Sequence, residues 1–136
     1  MTKERLRNYQ NIKRERVQLE EQLAQIEAAL YSPKIPQLTA VPPSGSPNGS
    51  TMENLADKHM ELRRRYEAKL VELAAEQLEI ERAIEALDPT ARMLLRYRYI
   101  DGLTWEEVCV RLCYSWRQTH RLHSQALKRL KNQERE

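Results

Sequence analysis

Apolar positions recur along the chain at helical spacings and sort it into two long segments and a compact C-terminal third. Over residues 3–31, Ile12, Leu19, Leu23, Ile26 and Leu30 alternate at steps of four and three, with Arg16 as the polar member. That is a heptad seam, and it predicts one long helix. Leu6, Tyr9 and Val17 broaden the stripe toward its N-terminal end. A second periodic segment opens on Ser50 and Glu53, which read as a capping box. It continues through Leu55, His59, Leu62, Tyr66, Leu70, Leu73, Ile80, Ile84 and Leu87, with Gln77 as a polar member. Between the two lies SPKIPQLTAVPPSGSPNGS, residues 32–50, holding five of the six prolines and two of the three glycines. Neither helix nor strand survives that composition, so a flexible linker is expected there, and Pro33 ends the first helix near Tyr31.

Charge selects how the two helices meet. The first is basic early (Lys3, Arg5, Arg7, Lys13, Arg14, Arg16) and acidic late (Glu20, Glu21, Glu27). The second is basic early (Lys58, Arg63, Arg64, Arg65, Lys69) and acidic late (Glu72, Glu76, Glu79, Glu81, Glu85). Antiparallel pairing sets basic against acidic at both ends. Each exposed pair contributes only about 0.2–1 kcal/mol, so charge chooses orientation while the apolar seam supplies stability. Leu6, Val17, Leu70 and Val71 are expected to flank the seam uncovered, which favours a homodimer through 3–31 and 51–87 over a single-chain hairpin.

The last third is punctuated by caps. Asp88-Pro89 marks a helix start, with Asp as N-cap and Pro in the first helical position. That helix runs to Ile100, burying Met93, Leu94, Leu95 and Tyr99 and turning Arg92, Arg96 and Arg98 outward. Gly102 closes it in a left-handed cap, and Leu103 staples the next helix. Thr104 with Glu107, and Ser115 with Gln118, are two further capping boxes. They bracket two short helices joined by a sharp turn. Val108, Cys109, Leu112, Tyr114, Thr119 and Leu122 form the shared buried face, and Trp105 covers the core edge.

What remains on the second of these helices suits nucleic acid: Ser115, Trp116, Arg117, Gln118, His120, Arg121, Ser124 and Gln125, followed by Lys128 and Lys131. Arginine pairs with guanine edges, glutamine with adenine and serine with either, while an aromatic face packs on a thymine methyl or along the backbone. The net charge of +3 conceals an asymmetry. Residues 1–88 carry 13 Lys+Arg against 15 Asp+Glu, whereas residues 89–136 carry 10 against 5. No acidic residue stands between Val108 and Gln133, where a solvated face would interleave signs. A polyanionic partner is the natural explanation.

From Leu87 to Lys131 the text LDPTARMLLRYRYIDGLTWEEVCVRLCYSWRQTHRLHSQALKRLK resembles the fourth region of bacterial sigma factors. The resemblance rests on Leu87 and Pro89, the Leu95-Arg96-Tyr97 run, Gly102, the helix-turn-helix at 104–123 and the closing Ala126-Leu127-Lys128-Arg129-Leu130. Where that family carries Ala and Gly around the turn, this chain has Cys109 and Cys113, and Thr119 replaces a usual Val. The whole chain resembles phage and prophage late-transcription regulators of the RinA/ArpU type. The resemblance implies double-stranded DNA as partner, with bacterial RNA polymerase as a second candidate, and the cytoplasm of a bacterial host as location.

Other chemistries find little support. Cys109, Cys113, His120 and His123 spell C-x3-C-x6-H-x2-H, but the cysteines sit where the turn needs small buried residues, and the loop is short for a zinc finger. No metal or cofactor is therefore expected. No nucleophile–base pair and no phosphate loop occurs, so no enzyme is expected. Nor does any apolar run approach a membrane span. The sequence thus predicts an all-α chain: a long antiparallel, coiled-coil-like hairpin over 1–87, then a helix-turn-helix domain over 88–136 that should fold alone. The expected function is sequence-specific transcriptional regulation. A DNA-binding packaging component of small-terminase type, or a coiled-coil scaffold, is the alternative.

Overall fold

The computed structural model describes residues 1–31 and 48–134, which form helices and the short connections between them, with no strand among them. The elements are α1 (Lys3–Tyr31), α2 (Asn48–Ile84), α3 (Pro89–Leu95), a π-helical turn (Arg96–Ile100), α4 (Trp105–Leu112) and α5 (Trp116–Gln133). The fold is the expected long antiparallel hairpin followed by a helix-turn-helix module. Up to residue 47 the expected linker lies outside the described residues. α2 begins at Asn48, inside that expected linker and ahead of the Ser50–Glu53 box. Asn48, Gly49 and Ser50 include neither proline nor a β-branched residue, so no stereochemical block stops the helix from extending upstream of the box.

The chain divides into two compact units. Residues 14–71 form one of them, in which the end of α1 runs antiparallel to the start of α2. Lys69 Nζ lies 2.7 Å from Glu15 Oε2, and His59 Nε2 lies 3.1 Å from Glu27 Oε1. Leu23 is buried, and Leu19, Ile26, Leu30, Leu55, Leu62 and Tyr66 are half-buried along the seam. Leu70, a member of the periodic series expected to lie uncovered on its flank, is exposed, and Lys69 is half-buried beside it. The strict four–three stride from Leu62 through Tyr66 lands on 69, so Leu70 falls on the flank. Val17 and Val71 are exposed as expected, Val71 at 70%.

The other unit joins Met1–Lys13 to Glu72–Glu136. The boundary drawn at 87/88 from the sequence falls inside it. Leu6 and Tyr9 from α1, and Ile80, Ile84 and Leu87 from α2 and its end, are buried in one core with Leu94, Leu95, Tyr99, Val108, Ala126 and Leu130. Leu6, expected on an uncovered flank, is fully buried because the first turns of α1 pack on the C-terminal helices. Arg5 forms a two-pronged pair with Glu76 (3.1 and 3.2 Å), the basic-against-acidic match that charge predicts. Gln10 and Lys13 donate to the carbonyls of Tyr99 and Ile100, closing the end of the π-helical turn where main-chain acceptors lack helical partners.

That turn was not visible in the sequence. Asp101 N–H bonds Arg96 O at 2.8 Å, a wide step that keeps Tyr99 on the buried face with Leu94 and Leu95. Met93, expected inside, is 45% exposed, because the buried face of α3 runs through Ala91, Leu94 and Leu95 and leaves position 93 to solvent. Gly102 takes φ +73°, as expected. A Cβ there would also press on Gln10 Oε1 at 3.1 Å.

Candidate nucleic-acid interface

Local chemistry sets the two helices of the reading head. Thr104 is extended at the N-cap of α4, and its hydroxyl accepts from Glu107 N–H at 3.2 Å. The same hydroxyl donates to the Glu107 carboxylate. Ser115 repeats the arrangement for α5, accepting from Gln118 N–H at 3.1 Å. Between them Cys113 adopts the left-handed conformation with φ 59°, and its N–H returns to the carbonyls of Cys109 and Val110. This left-handed residue makes the sharp turn. Glycine suits it best because no Cβ then meets the following carbonyl. Cys113 is exposed, contrary to the expectation that both cysteines are buried, and Cys109 is half-buried. At the corner of the turn the Cys113 thiol reaches only the Val110 carbonyl, at 3.7 Å, among the described residues.

Val108 and Thr119 are fully buried where α4 crosses α5, with His123, Ala126 and Leu130 continuing the inner face of α5. The outer face carries the expected reading residues. Ser115, Trp116, Arg117, Gln118, Arg121, Ser124, Gln125, Lys128 and Lys131 are all exposed. At roughly 100° per residue, Arg117, Arg121, Ser124, Lys128 and Lys131 fall within an arc of about 80°, with Gln118 and Gln125 on its far side. His120 departs from this group: it is half-buried, its ring tilted against Trp105 with centroids 4.3 Å apart and against Trp116 with centroids 4.5 Å apart. Trp105 covers the core edge as expected, with the Arg98 guanidinium 4.7 Å above its ring.

The cations of this region are of two kinds. Arg129 pairs with Asp88 at 3.0 Å, and Arg111 rests on the Tyr97 ring at 5.7 Å. Arg117, Arg121, Lys128 and Lys131 make no ion pair among the described residues. A row of unpaired cations on one helix face is electrostatically strained until an anion approaches. Sequence reasoning missed a contribution from α1. The charges of Lys3 and Arg7 reach His123 and help hold its pKa down, behind the larger effect of burial. The basic start of α1 was the available signal.

The residues of the zinc reading do not converge. His123 Nε2 is bonded to Tyr99 Oη at 2.7 Å, and no group of three or more metal-ligating side chains gathers among the described residues.

Two capped helices across a left-handed turn, presenting unpaired arginines and amides, define a helix-turn-helix module of the DNA-binding class. Residues 83–132 match the family model of sigma-70, region 4. Comparison with curated proteins gave no match, and comparison with solved structures gave none. The C-terminal module is therefore sigma region-4-like. Elsewhere, no described helix is long and apolar enough to cross a membrane.

Proposed function

We propose that the protein is a sequence-specific, non-enzymatic transcription regulator of phage or prophage origin, of the RinA/ArpU type, that activates late genes in the cytoplasm of a bacterial host. The observation that carries this reading is the exposed outer face of α5. It is polar, basic and free of acidic residues, on a module similar to sigma region 4. In this reading residues 88–136 hold the DNA contacts. Arg117, Gln118, Arg121, Ser124 and Gln125 meet base edges in the major groove, and Ser115, Lys128 and Lys131 meet phosphates. Trp116 and His120 border that face. Bacterial RNA polymerase is the proposed protein partner. The hairpin over 1–87 serves as a dimerisation arm, supported by the exposure of Val17, Met60, Leu70 and Val71.

A genome-wide binding footprint, aligned with transcript start sites, tests the proposal. Sites immediately upstream of late-gene starts, with transcription lost when the gene is deleted, are the expected result. Sites confined to the interior of a packaging gene would overturn it. Light scattering on the full chain tests the dimer separately, and a monomer at micromolar concentration would remove that part.

A further inference from the structure

Hydrogen-bond readout leaves one feature of the reading head unexplained. Four side chains form a continuous row of tilted contacts from the π-helical turn to the first residue of α5. Arg98 donates to Leu103 O at 2.8 Å and lies over Trp105 at 4.7 Å. Trp105 meets His120 at 4.3 Å, and His120 meets Trp116 at 4.5 Å. Trp105 also stands edge-on to His123 at 4.7 Å, which ties the row to the buried core. His120 Nε2 is buried without a hydrogen-bond partner among the described residues, so its imidazole acts as a spacer between two indoles. At the outer end Trp116 is 52% exposed, beside Arg117 at the start of the recognition helix.

We infer that Trp116 is a specificity-determining residue whose indole packs on the C5-methyl group of a thymine in the major groove, held there by the row of rings behind it. This rests on the DNA-binding reading above. An indole has one donor and no acceptor, so it cannot read a base edge by paired hydrogen bonds. The thymine methyl is the apolar feature a base pair offers in that groove. The first residues of a recognition helix are those that reach base edges. An exposed aromatic normally loses rotamer freedom on binding, and bracing by His120 removes part of that loss beforehand.

The test uses the full chain and a duplex selected from random sequence, with each thymine replaced in turn by deoxyuridine. That replacement deletes only the methyl group. One position should weaken wild-type binding about fourfold, the equivalent of about 0.8 kcal/mol for one buried methyl. Trp116→Ala should bind the thymine duplex more weakly and fail to distinguish it from the uracil duplex. His120→Ala, which removes the brace, should discriminate less than wild type. Wild-type binding that ignores every replacement overturns the inference and leaves DNA binding standing. Full discrimination retained by Trp116→Ala also overturns it, and full discrimination by His120→Ala overturns the bracing. Failure to select any duplex removes the DNA-binding reading itself, and this inference with it.

Discussion

Tyr99 and His123 share a 2.7 Å hydrogen bond inside the core, joining the π-helical turn to the recognition helix. His123 is 6% exposed, and its ring stacks on Tyr99 at 5.7 Å. Burial, reinforced by the charges of Lys3, His120, Arg98 and Arg7, lowers its pKa from 6.5 to about 4. The folded state therefore holds this imidazole neutral, while the unfolded chain protonates it at its ordinary value.

The sign of the pH dependence follows. Above about 6.5 the contribution of His123 is fully present, because neither state binds the proton. As pH falls from 6.5 toward 4 the unfolded state gains protons first, and stability drops by at most about 1.4 kcal/mol per pH unit from this group. Urea unfolding across that range should show the decline, and His123→Phe should flatten it. Parallel profiles for the two proteins would assign the decline to other groups.

Thr119 is fully buried, and its hydroxyl finds no hydrogen-bond partner among the described residues. An unsatisfied buried hydroxyl costs about 1–3 kcal/mol. Thr119→Val keeps the shape and removes the polar atom, so it should stabilise the protein by about 1 kcal/mol or more. Thermal unfolding checks this, with a rise of a few degrees expected and no change in DNA affinity.

Cys113 sits at φ 59°, where a side chain crowds the following carbonyl. Cys113→Gly should stabilise the turn by about 1 kcal/mol, and Cys113→Val should destabilise it. Chemical denaturation of the three proteins gives the order directly.

Loss of Arg117 or Arg121 should cost about 1–3 kcal/mol on a cognate duplex if the side chain pairs with guanine, and little on a scrambled one. Loss of Lys128 or Lys131 should weaken both duplexes alike and lower the salt slope of binding by about one. Gel shifts at several salt concentrations separate the two classes. An Arg117→Ala protein that keeps its preference for the cognate duplex would remove Arg117 from the base-reading set.

Leu6 is fully buried in the core that supports the reading head. Leu6→Ala should destabilise that unit by about 2–5 kcal/mol. A fragment of residues 88–136, deprived of Leu6, Tyr9, Ile80 and Ile84, should fold less stably than the expectation of an independent domain implied. Circular dichroism of both proteins against the full chain provides the measurement.

Local signals made much of this molecule legible beforehand. Asp88, Thr104 and Ser115 cap helices through bonds three residues long, and Gly102 turns the chain through its own backbone freedom. Such effects need no knowledge of the rest of the fold. The misses depend on contacts distant in sequence. Leu6 and Tyr9 read as a broadening of the stripe beside the seam, with Leu6 on an uncovered flank, although part of their partnership lies with helices roughly ninety or more residues later. His120 reads as one more polar residue on an exposed face until two indoles from different helices close around it. The half-burial of Lys69 beside Leu70 depends on a register that one helix alone leaves open to a single-residue slip.

The core shared by the first turns of α1 and by α5 also has a consequence for synthesis on the ribosome. Leu6 emerges more than a hundred residues before Ala126 and Leu130, a wait on the order of ten seconds at ordinary elongation rates. α5 is made more than a hundred residues after the first turns of α1, which share its core. A product cut short before α5 lacks the second helix of the helix-turn-helix, and a fragment without residues 1–13 lacks part of the core that holds that helix in place. The helix-turn-helix is therefore fully supported only in chains that carry both segments.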